Sequence, residues 1–138
     1  MFLPVAEWPP TGFEGILKES SMSSNTKAGI VAPLYRINKF AVPTAARTQF
    51  LELVEKTLEV IRSQDGYVKD LFLEQHAGPG KFNFCTMIEF ESEEVAPKVA
   101  AAIGAFDRSL NIDRAALMEK LGVETDSASY KSFQATSA

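Results

Sequence analysis

The sequence predicts one α+β domain, a four-stranded antiparallel sheet with helices on one face, in the order β-α-β-β-α-(α)-β. Three observations lead there. Two long segments with apolar residues at helical spacing alternate with strand-like segments. The loop Ala77-Gly78-Pro79-Gly80-Lys81 separates two consecutive strand segments, as a hairpin needs. The strands are apolar on both faces, yet the helices suffice to cover only one.

The first strand is Leu34-Tyr35-Arg36-Ile37-Asn38-Lys39-Phe40-Ala41-Val42, rich in β-branched and aromatic residues. Pro43 stops it, and Thr44 is the expected cap of the next element. The first helix is expected over 45–63, where Phe50, Val54, Leu58 and Ile61 recur at helical spacing and Leu51 widens the stripe. Gly66 ends that region. The second strand is expected over 67–76 and the third over 82–91, where Phe82, Phe84, Thr86, Ile88 and Phe90 share one face. Ser92 is the expected cap of a second helix, whose stripe is Val95, Val99, Ile103, Phe106 and Leu110. Pro97 is compatible only with the start of that helix. A short third helix spans 114–121 between an Asp113 cap and a Gly122 stop, and a last strand lies near 127–134. This order is the ferredoxin-like, split βαβ arrangement.

Residues 1–30 keep no period and hold Pro4, Pro9, Pro10 and a serine cluster, so they read as an N-terminal arm or disordered tail ahead of a domain at 31–138. Met22 is an alternative start, and Trp8 and Phe13 are the residues such an arm would pack on a partner. The segment lacks a basic start and a continuous apolar run, so no signal peptide is expected; a cytoplasmic location is the expectation. No apolar stretch approaches the ~20 residues of a membrane span. The net charge of −4, with scattered Lys and Arg, argues against nucleic acid or an anionic membrane as partner. With one Cys and one His, Cys85 and His76, no disulfide within the chain and no Cys/His zinc site is expected. An apolar second face on the sheet marks an interface, and a second copy of the chain is its simplest cover.

Tyr35-Arg36-Ile37-Asn38-Lys39-Phe40 with its Pro43 stop resembles the start of the antibiotic-biosynthesis-monooxygenase (ABM) domain family. So do Gln64-Asp65-Gly66-Tyr67, Leu73-Glu74-Gln75 and the stretch from Phe82 to Ser92. The resemblance covers about residues 31–134. It implies a dimeric α+β barrel with a pocket between helices and sheet, and cofactor-free oxygenation of an aromatic or polyketide-type compound. Asn38 matches an Asn that the family's haem-degrading branch keeps on its first strand. The second helix has no His or Trp, so that branch's haem chemistry is not expected here. Phe90 stands where the family often has Trp.

Asn38, Arg36 and His76 are the candidate catalytic residues. Asn is unfavourable in a strand, so it either bonds a neighbouring loop or donates to a ligand's carbonyl or phenolate oxygen. Arg36 shares its face, and a buried Arg calls for an anionic partner, either a Glu of the protein or an acidic substrate. His76, beside the hairpin loop, is an idle surface residue or a general base. Tyr35, Phe82, Phe84 and Phe106 are core residues or the walls of a site for a planar substrate. No flavin, nicotinamide or phosphate-binding motif is present, and no cofactor is expected. Two functions fit this reading: a cofactor-free oxygenase, or a non-catalytic small-molecule-binding or stress-associated dimer of the same fold.

Overall fold

The structure, a computed structural model, describes residues 32–133. Strand β1 (Leu34–Ala41) leads through a 3-10 turn (Thr44–Ala46) into α1 (Arg47–Arg62). Strands β2 (Tyr67–Glu74) and β3 (Phe84–Phe90) form the hairpin, followed by α2 (Val95–Ser109), α3 (Arg114–Leu121) and β4 (Glu124–Tyr130). The sheet is antiparallel with strand order β2-β3-β1-β4, so β1 and β3 are central. The chain has the ferredoxin-like α+β fold. The arm expected at 1–30, with Trp8 and Phe13, lies outside the described residues.

Pairing in register puts partner residues on one face. Leu34, Phe40, Phe84, Ile88 and Phe90 face the helices and are buried with Phe50, Leu58, Ile61, Val99 and Ile103. The α1 stripe is wider than expected on the Leu53 side, since Leu53 is buried and Leu51 only half-buried. At the end of α2 the expected stripe fails. Phe106 is half-buried and Leu110 is 46% exposed, while Asp107 turns inward at 2% exposure. Asp107 tolerates burial because Arg114 grips it through Nη2 at 2.7 Å and Nε at 3.0 Å.

Capping divides into one success and two corrections. Asp113 accepts from Ala116 N at 3.1 Å, and Gly122 closes α3 at φ 79°. Thr44 does not cap: Pro43 holds that position and offers no side-chain acceptor. Ser92 does not cap either, because Val95 N and Ala96 N donate to the Ser92 and Glu93 backbone carbonyls. Pro97 falls in the first turn of α2, where no N–H is needed. Gly66 is required twice over: its φ is 91°, and an added Cβ would stand 2.4 Å from Val95 Cγ2.

The hairpin strands are shorter than the expected 67–76 and 82–91. Asn83 stands just ahead of β3: its backbone N donates to Phe40 O and its carbonyl accepts from Gln75 N, while its side chain accepts from Val42 N at 2.8 Å and donates to Val42 O at 3.0 Å. Strand β4 begins earlier than the expected 127, since Glu124 already pairs with Ala41. Its first residues carry no apolar alternation because they lie exposed on an edge strand.

Candidate functional site

The two central rows of the sheet reverse the usual pattern. On the helix face, Phe72, Thr86, Asn38 and Ser127 stand in one register row, and Asp70, Ile88, Arg36 and Ser129 in the next. On the open face the row between them is Leu71, Met87, Ile37 and Ala128. The polar rows are thus covered by helices and an apolar row is left uncovered.

Asn38 and Arg36 alternate with Ile37, so strand geometry alone sends both side chains beneath the helices. Asn38 is 8% exposed, Thr86 3% and Arg36 3%. Asn38 Nδ2 donates to Thr86 Oγ1 at 2.9 Å. Asn38 Oδ1 is buried and accepts no hydrogen bond among the described residues. Arg36 Nη1 donates to Ser129 Oγ at 3.3 Å. Burial pulls the Arg36 guanidinium down to about 10, still leaving it a cation at neutral pH. The row therefore offers a fixed cation, a lone buried carbonyl and the Thr86 and Ser129 hydroxyls. By chemical type, a guanidinium suits an anion and an amide carbonyl suits a hydrogen-bond donor.

Of the expected site residues, Arg36 and Asn38 come together. Phe84 is close by, in an aromatic cluster with Phe40, Phe50 and Phe72 whose ring centroids lie 5.0–6.3 Å apart. The others are elsewhere. Tyr35 lies on the open face, because it alternates with Arg36. His76 is exposed beyond the end of β2, four residues past Phe72 and so roughly 13 Å along the strand direction. Phe82 precedes β3, with Lys81 Nζ 5.7 Å from its ring centroid. Phe106 is half-buried on α2. Thr86, Ser127 and Ser129 escaped the sequence reading. The signal for Thr86 was present: it is the one hydroxyl within the apolar face of the third strand.

A concavity of about 410 Å³ opens away from this row, between Pro43, Gln75, Lys81, Asn83, Gly122 and Glu124. Its polar groups are already spent. Asn83 holds Val42, Gln75 donates to the Gly78 and Gly80 carbonyls, and Lys81 pairs with Glu124 at 3.1 Å. Among the described residues no group of three or more His, Cys, Asp or Glu side chains is placed to hold a metal ion. No helix among them is long and apolar enough to cross a membrane.

Comparison with solved structures places this architecture. The chain superposes on a protein described as a "putative monooxygenase" from Shewanella loihica PV-4 with a TM-score of 0.57 and 19% identity, covering 76% of this chain and 98% of that one. The shared feature is the fold, a ferredoxin-like α+β domain. SnoaB, described as a cofactor-independent oxygenase from Streptomyces nogalater, matches with a TM-score of 0.58 and 13% identity, over 75% of this chain and 96% of that one. A dimeric ferredoxin-like protein from an uncultured marine organism matches at 0.51 and 12% identity, over 74% and 96% of the two chains. No protein-family model matches the sequence, and no curated protein matches it.

Proposed function

We propose that this protein is a cofactor-independent monooxygenase acting on a small hydroxylated aromatic or polyketide-type compound, working as a homodimer. The observation that carries the reading is the buried polar row itself. A fold this small does not bury Asn38, Thr86 and Arg36 beneath its helices for stability, since each is costlier there than an apolar residue. Polar groups that break the pattern at the centre of a fold mark function. Similarity to a fold shared by SnoaB gives the chemistry its class.

The chemistry asks little of the protein. An acidic aromatic C–H or O–H is deprotonated, and the electron-rich anion reduces dioxygen. A carbon–oxygen bond forms to give a hydroperoxide. Loss of water from a CH2 centre so oxidised leaves a carbonyl, and both oxygen atoms are accounted for. Arg36 favours the anion by charge, and the row of hydroxyls and amide orients it in a dry setting. His76, exposed and distant, is not assigned the base.

The open face supports the dimer. Leu71 and Leu73 are 48% and 51% exposed there, beside Ile37, Met87 and Tyr130. An apolar row spanning all four strands requires a cover. The domain at 31–138 and a cytoplasmic location belong to the same proposal.

The test is dioxygen uptake by metal-free protein with hydroxylated polycyclic aromatics, comparing wild type with Asn38→Leu and Arg36→Met. The expected result is turnover in wild type that falls by ~10²–10³ in the variants. Binding of these compounds without oxygen uptake would instead identify a non-catalytic binding protein of the same fold.

A further inference from the structure

We draw no further inference here: the strongest candidate, the uncovered apolar row of Leu71, Met87, Ile37 and Ala128 on the open face of the sheet, belongs to the homodimer already proposed, and nothing in the structure shows what else covers it.

Discussion

Replacing Asn38 and Thr86 together by Leu and Val should leave the protein at least as stable as wild type while abolishing ligand binding. The two residues form one buried hydrogen bond at 2.9 Å and leave one buried carbonyl without a partner. The bond contributes ~1 kcal/mol net, whereas an unsatisfied buried polar group costs ~1–3 kcal/mol. Leu copies the branching of Asn, and Val that of Thr, so the double change exchanges polar atoms for methyl groups in the same outline. Removing both the bond and the orphan carbonyl therefore yields a net gain of ~0–2 kcal/mol. Thr86→Val alone behaves oppositely, because it strands Nδ2 as well as Oδ1 and should cost ~1–3 kcal/mol. Thermal unfolding of the four proteins gives the full cycle. At ~4–8 °C per kcal/mol for a domain of this size, the double variant should melt at or a few degrees above wild type. Thr86→Val should melt clearly below both. A double variant melting more than ~5 °C below wild type would show that the pair is there for stability, and the functional reading of the row would lose its main support.

Three further outcomes follow from the geometry. Ile37→Asp places a carboxylate in the open apolar row, and light scattering should find a folded monomer. Phe72→Asp buries a charge against Phe50 and Phe84, 6.3 and 5.8 Å away by ring centroid, and should prevent folding; a stable dimer from the first or a folded protein from the second would contradict the facing assigned here. The Arg62 guanidinium, hydrogen-bonded to Asp70 at 2.7 and 2.9 Å, holds the Asp70 carboxyl below its ordinary value. That stabilisation is present above the unfolded value of about 3.9 and is lost as pH falls through the lower folded value. Asp70→Asn should thus melt lower than wild type at pH 7, with the gap closing below roughly pH 4; a gap independent of pH would assign Asp70 a purely steric role. Gly66→Ala meets both the φ of 91° and Val95, and should cost ~1–3 kcal/mol in chemical denaturation, with Val95→Ala recovering only the part due to the clash.

The helices and strand order were legible in the sequence because long apolar periods dictate burial whatever surrounds them. Asp113 and Gly122 were legible for a similar reason: each does a local job that only a few residue types can do. What the sequence hid were the outcomes decided by contacts between distant segments. Phe106 continues the α2 period, yet Asp107 is the residue buried, because Arg114, seven residues on, makes its charge affordable. Thr44 and Ser92 have the right chemistry for caps but sit where the chain turns by backbone bonds alone. Asn83 keeps strand-like backbone bonds to Phe40 and Gln75, and only the fold shows that its side chain also holds Val42.

The same distinction explains what was and was not visible of the site. Asn38 stood out locally, as a polar residue in a strand-forming run. Its setting depends on Thr86, forty-eight positions away, which accepts from Nδ2 while Oδ1 stays buried without a partner among the described residues. The alternation of the first strand showed that Arg36 and Asn38 lie on one face and Tyr35 and Ile37 on the other. It did not show which face the helices cover. Two apolar-capable faces compete for the helix layer, and the flanking residues decide. Leu34, Phe40, Phe84 and Phe90 surround the polar row and supply the burial that offsets it. The Ile37 face has charges at its margins instead, Lys69 and Glu89 in one row and Lys39 and Asp126 in another. The helices therefore settle over the polar row because its apolar frame is larger. The fold thereby buries the polar row inside and leaves an apolar strip outside, the strip that the proposed second subunit would cover.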